Sequence, residues 1–161
     1  MMIASKDTKD TKKELPHGWR WARLETLCNF IRGVSFDKAD MSTSPEMGLV
    51  PILRAGNIGQ RLDVINDLVW VPTEKVSPEQ LTRVGDLAIC MSSGSAEVVG
   101  KTAQVEVDWS GSVGAFCGIV RVADISMSDY IKFWFRSRMF LNWRDDQARG
   151  ASIQNLRFSE L

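Results

Sequence analysis

The hydrophobic pattern of this chain changes period once, at Ser126, and that single switch limits the folds open to it. Before Ser126, apolar residues come in short runs punctuated by Gly, Pro, Asn and Asp, the mark of strands joined by turns. From Ser128 to Ala148, Tyr130, Ile131, Trp134, Phe135, Met139, Phe140 and Trp143 recur at helical spacing. Strands first and a long helix last do not make an alternating βαβ series. The sequence therefore predicts an α/β domain of the α+β kind, β-rich with flanking helices. Its 161 residues, 44% of them apolar, suit one domain with its own core.

Within the β-rich part, Phe30 to Val34 reads as a strand running into a turn at Gly33, and Asp37 to Gly48 as a loop. Leu49 to Ile58 and Leu62 to Val71 read as strands about a turn at Gly59. Ser77-Pro78-Glu79-Gln80 has the form of a short helix start, with a capping serine, proline next, and glutamine three places after the cap. A turn at Val84-Gly85-Asp86 leads into a buried strand, Leu87 to Met91. Ala103, Val105 and Val107 alternate with Gln104, Glu106 and Asp108 as a half-exposed strand, and Phe116 to Val122 forms another. Trp19, Trp21 and Leu24 pin the chain to the core ahead of a short helical turn at Glu25 to Cys28. Ser126 or Ser128 caps the long helix, Asp129 favours its first turn, and Gly150 ends it. Residues 1–14, with "KDTKDTKK", read as a disordered tail, 15–150 as the folded domain and 151–161 as a connection beyond it.

Several chemistries lack their residues. Lys and Arg number 20 against 20 Asp and Glu, so no global positive field announces a polyanion, although a contacting face alone need be basic. Three cysteines form no CxxC pair and stand beside one histidine, so free buried thiols in a reducing cytoplasm are expected rather than a zinc site. Apolar runs are broken by charge, as Arg136 and Arg138 break "FWFRSRMF", so no membrane span is expected, and "MMIASKDTKDTKKE" has no apolar core of signal-peptide length, so export is not expected. No two prolines adjoin, no G-x-G-x-x-G follows a strand, and His17 sits in an opening turn without a nucleophile elbow. Neither a catalytic residue nor a resident metal or cofactor is expected.

"MSSGSAEVVGKT", from Met91 to Thr102, ends much as a phosphate-cradling loop does. It fails on spacing, since five residues separate Gly94 from Gly100 where such a loop has four, and on context, since "TAQVEV" behind Lys101 is a strand. Two readings stay open: a hairpin connection with positive-φ glycines, or a protruding loop in which Ser92, Ser93 and Ser95 approach a nucleic-acid backbone and Lys101 meets a phosphate. Arg54 and Asn57 in "ILRAGNI" suit guanine and adenine edges; equally, Arg54 pairs with a carboxylate and Asn57 holds the turn. Arg32 and Ser35 flank Gly33, with Lys38 following, and read either as a phosphate-facing loop or as a solvated turn. Gln154 and Asn155 in "GASIQNL" are either donors to DNA or ties for a final loop, and Arg121 reads as a structural ion-pair partner.

Taken in order, "LPHGWRWARLETLC", "IRGVSFDKAD", "PILRAGNI", "DLVWVP", "GDLAICMSSGSAEVVGKTA", "GAFCGIVRV" and "GASIQNL" resemble the target-recognition domain of type I restriction-modification specificity subunits, from Leu15 to Leu161. The resemblance implies a non-catalytic domain that reads half of a bipartite double-stranded DNA target in the cytoplasm, without a membrane. It implies modification subunits that methylate adenine with S-adenosylmethionine, and a motor subunit that consumes ATP with magnesium and cleaves DNA. On that likeness 151–161 opens into a spacer helix, and one recognition domain is present where a whole subunit has two. The rival readings are an enzyme binding nucleotide at the Gly94–Thr102 loop, and a protein-interaction module such as a decoy or scaffold.

Overall fold

The computed structural model describes residues 15–95, 97–148 and 154–156. Its strands are β1 (Cys28–Arg32), β2 (Leu49–Leu53), β3 (Val69–Pro72), β4 (Leu87–Cys90), β5 (Ser92–Ser93), β6 (Thr102–Gln104), β7 (Ser112–Val113), β8 (Cys117–Val122) and β9 (Gln154–Asn155), and its α-helices are α1 (Ser128–Phe135) and α2 (Arg138–Ala148). A four-stranded antiparallel sheet has the order β1-β8-β4-β6; a three-stranded sheet has the order β3-β2-β7; β5 and β9 pair separately.

Alternation along the strands sets the layers. β4 sends Leu87 and Ile89 to one face and Ala88 and Cys90 to the other, all four buried, as a strand covered on both sides requires. Leu87, Ile89 and Val120 meet Leu24, Ile131, Phe135 and Phe140 under the helices. Trp134, Phe135 and Phe140 form a ring cluster there, with centroids 4.9 to 5.3 Å apart and edge-to-face or tilted contacts. On the opposite face the small side chains of Ala88, Cys90 and Ala103 let the second sheet approach with Leu53 and Val113. The outer face of that sheet buries Val50, Ile52, Val69 and Val71 with Val34 and Val76.

One charged pair sits inside. Arg121 Nη2 lies 2.7 Å from Asp86 Oδ2, with side-chain exposures of 12% and 3%, and also donates to the Leu81 carbonyl. Arg121 is thus the ion-pair partner expected, and its extra bonds satisfy the donors that burial would otherwise strand. The Ser77 motif forms as expected: Gln80 Oε1 accepts from the Ser77 N–H at 3.1 Å and Pro78 opens a 3-10 turn.

Several expectations need correction. The long helix is two. Arg136 and Ser137 close 3-10 bonds to Phe133 and Trp134, and Ser137 Oγ then accepts from Phe140 N–H to start α2. Neither Ser126 nor Ser128 caps α1. Asp124 accepts from Ser126 N–H, while the Ser128 hydroxyl donates to the Gly85 carbonyl at 2.6 Å. β2 stops at Leu53 because residues 55–57 turn as a 3-10 helix, β3 is only Val69–Pro72, and β6 ends at Gln104, short of Val107. β1 starts at Cys28, two residues before the strand expected. Leu24 is buried, but Trp19 and Trp21 are exposed and pin nothing. The tail 1–14, the helix end at Gly150 and most of the 151–161 connection, with its spacer helix, lie outside the described residues.

Candidate functional site

Antiparallel pairing brings four strand termini to one end of the larger sheet. Arg32 of β1 faces Gly118 of β8, Cys90 of β4 faces Cys117, and Ile89 faces Thr102 of β6. The second sheet ends there too, because β2 runs parallel to β7 and the Gly114 N–H donates to the Leu53 carbonyl at 2.9 Å. The loops leaving these termini hold Arg32, Ser35, Arg54, Ser92, Ser93, Ser95 and Lys101. Residues separated by up to 69 positions in the chain therefore share one pole (101 minus 32). Gly33 makes the junction possible: a Cβ there would overlap the carbonyls of Gly114 and Val113.

The loop after β2 is knotted by its own side chains. Asn57, 4% exposed, accepts from Arg54 N–H at 2.8 Å and donates to the Asn66 and Asp63 carbonyls at 2.7 and 3.2 Å. Asp63 in turn accepts from the Ile65 and Asn66 N–H groups and from the Asn66 amide, and those bonds hold its carboxyl below the usual range, the side-chain amide first. Both of Asn57's amide atoms are spent in the fold. Of its two readings, the structure takes the turn-holding one, and Asn57 is withdrawn from the base-contacting candidates. Arg54 is exposed; its Nη2 donates to the Asp67 carbonyl at 3.1 Å rather than to a carboxylate, and it is in no ion pair among the described residues.

The loop after β4 is held instead by main chain. Met91 and Ser92 N–H groups both donate to the Phe116 carbonyl, at 2.8 and 3.0 Å, and Gly100 N–H donates to the Cys90 carbonyl at 2.8 Å. Val98 and Lys101 N–H groups bond back to Ser95 and Val98. Amides used this way cannot cradle a phosphate, and β6 follows Lys101 where a nucleotide loop would need a helix. Gly100 has φ +79°, whereas Gly94 does not share that conformation. Ser92 and Ser93 pair with Asn155 and Gln154 of β9, and Leu156 N–H donates to the Met91 carbonyl at 2.8 Å. The structure thus brings Gln154 and Asn155 beside the serines by backbone pairing. Ser92 and Ser93 are half-buried, and Ser93 Oγ accepts from the N–H of exposed Ser95. Lys101 is exposed, and its side chain has no hydrogen bond or ion pair among the described residues. Arg32 and Ser35 are exposed at the neighbouring strand end.

One residue at this pole is not among the sequence candidates. Phe116, 70% exposed, tips the turn between Gly114 and Cys117, whose N–H closes it onto the Gly114 carbonyl at 2.8 Å. A strand over 116–122 would make it part of a packed sheet; the glycine two places before it is the signal for a turn. Directly beneath lie Cys90 and Cys117, both buried, the Cys117 thiol pushed up by its hydrogen bond to Cys90 and by burial. The Cys28 thiol is pushed up to about 12 by burial. These are packing thiols. Among the described residues no group of His, Cys, Asp and Glu could hold a metal, and no helix is long and apolar enough to cross a membrane.

No protein-family model matches the chain. Curated relatives do. The EcoKI type I restriction enzyme specificity subunit of Escherichia coli K12 and the StySPI specificity subunit of Salmonella potsdam are each 35% identical over 144 residues, 89% of this chain. The chain spans about a third, 31%, of the length of either relative. Solved structures agree in fold: a type I R-M system assembly at TM-score 0.67 over 94% of this chain with 19% identity, and the HsdS subunit from Thermoanaerobacter tengcongensis at 0.59 over 79% with 21% identity. These cover 34% and 29% of the structures matched. By sequence along nearly its whole length, and by the layering of its sheets and helices, this chain is a homologue of the type I restriction enzyme specificity subunits, matching one portion of them.

Proposed function

We propose that this chain is a DNA target-recognition domain that reads one half of a bipartite site through the loops at its shared pole. The observation that carries the proposal is that pole itself. Exposed Arg54, Ser95 and Lys101 and half-buried Ser92 and Ser93 stand together on strand ends whose backbones are fixed by the fold. Arg54 offers a guanidinium fork to a guanine edge and the serines offer hydroxyls to bases or phosphates, while Phe116 offers an apolar face to a thymine methyl. Lys101, Arg32 and Ser35 supply backbone contacts that position without specifying. Gln154 and Asn155 enter through the β9 pairing that sets the serine loop.

The chain catalyses nothing in this proposal. Modification subunits with S-adenosylmethionine methylate the adenine after extracting it from the stack, and a motor subunit uses ATP and magnesium to translocate and cut. Recognition takes place in the cytoplasm, and the partners that bind are double-stranded DNA and those two kinds of subunit.

Exchange tests this directly. Residues 15–156 replace the corresponding portion of a related specificity subunit, which is assembled with its modification subunits, and methylated adenines are mapped. One half of the methylated site should change and the other stay. An unchanged site with intact methylation refutes recognition by this chain.

A further inference from the structure

A cleft of about 830 Å³ opens beside β6, the edge strand of the larger sheet among the described residues. It is walled by the turn at Gly59–Arg61, the start of β6, and the junction of α1 with α2. Four cations line it, Arg61, Lys101, Arg136 and Arg144, against one carboxylate, Glu106. In a chain whose formal charge sums to zero, that is a local departure.

Two of the four are compensated: Arg61 Nη2 lies 2.6 Å from Glu106, and Arg144 Nη2 lies 2.6 Å from Asp145. The other two are in no ion pair among the described residues. Arg136 Nη2 donates to the neutral Gln60 carbonyl at 2.6 Å, and the Lys101 ammonium has no hydrogen bond or ion pair among the described residues. The Gln60 bond fixes where the Arg136 guanidinium points while leaving its charge available.

We infer that this cleft takes the phosphate backbone of a DNA strand flanking the bases read at the pole, with Lys101 and Arg136 as its two phosphate-binding residues; this rests on the DNA-recognition proposal above. Two features favour a polyanion strand over a small phosphorylated ligand. The Gly100 and Lys101 N–H groups, which would have to cradle a single phosphate, are bonded to Cys90 and Val98. The cations also come from three separate chain segments, the Gly59–Arg61 turn, the approach to β6 and the α1–α2 region, rather than from one loop. Lys101 also ends the serine loop, so the cleft continues from the reading surface.

The test is a salt titration of binding by the chain to a duplex carrying the half-site, compared with a scrambled duplex of equal length. For Lys101→Ala with Arg136→Ala, the slope of log K against log salt should become shallower by about 2, at roughly 0.9 for each phosphate no longer neutralised. The preference for the half-site over the scrambled duplex should stay unchanged. Lys101→Arg with Arg136→Lys should restore the slope, which separates an effect of charge from one of folding. An unchanged slope, with the wild-type chain still preferring its half-site, overturns the cleft assignment alone. If the double variant binds DNA normally but no longer joins the modification subunits, the cleft is a protein dock and the inference is overturned. If the wild type has no half-site preference, the recognition proposal falls and takes this inference with it.

Discussion

The two loops that dominate the candidate site are fixed by opposite means. The loop after β2 is tied by side chains: Asn57 and Asp63 bond to its own backbone, and both are used up in doing so. The loop after β4 is tied chiefly by main chain, to the Phe116 turn and to β9, and of its serine hydroxyls only that of Ser93 takes part in a hydrogen bond among the described residues, accepting from Ser95 N–H. The first loop therefore presents a single long group, Arg54, on a rigid mount. The second presents several short groups on a mount that is indifferent to them. Free polar groups on a fixed backbone are what recognition needs, because immobilisation costs have been met by folding.

Breaking the first knot should have the largest effect. Asn57→Ala leaves one N–H and two carbonyls without their partner, and the expected loss is roughly 3 kcal/mol at about 1 kcal/mol or more for each group. Urea denaturation measures it. A loss below about 0.5 kcal/mol would mean that the loop is not held by Asn57. Arg54→Ala comes next and touches stability little. It should remove about 1–3 kcal/mol of discrimination between the preferred base pair and its alternatives, read from competition with substituted duplexes.

The second loop predicts a different response. Ser92→Ala with Ser93→Ala should lower stability by no more than about 0.5 kcal/mol, since the main-chain bonds remain. Half-site preference should nevertheless weaken severalfold. Equal losses of stability in the two loops would mean that both are fixed in the same way.

The smallest effect is one of pH. Asp63's carboxyl is held low by its bonds in the folded loop. Its contribution is present above the unfolded value of about 3.9 and is lost as pH falls through the folded value. Hydrogen exchange at Ile65 and Asn66 should thus be protected equally in neutral and weakly acid solution, and lose additional protection only in more acid solution. Asp63→Asn should flatten that dependence.

How far the sequence reveals this arrangement follows from the range of each interaction. Strand β4, the Ser77 turn and the switch to helices at Ser126 are legible, because period and capping chemistry act over a few residues. The break at Ser137 is not: apolar spacing runs through it from Phe135 to Phe140, and the cap is a single hydroxyl. Arg54, Ser93 and Lys101 are identifiable as polar residues in turns, but not as neighbours. Their proximity depends on the register of β8 against β4 and on the Gly33–Gly114 approach, both long-range. Asn57 is ambiguous for a related reason, since its Asp63 and Asn66 partners are chosen by the loop's closed shape. The resemblance to specificity subunits narrows what pattern alone leaves among several readings.

The backbone bonds that converge on the Phe116 carbonyl have a consequence for inheritance. Because Met91 and Ser92 attach there through their amides, exchange of side chains along residues 92–95 leaves those attachments in place. New hydroxyls, amides or longer groups can be tried at these positions without rebuilding what supports them. Under the proposed reading of DNA, such a platform would let the preferred target sequence change by a few point substitutions while the folded body stays the same, and pairing by β9 would keep each variant in the same posture.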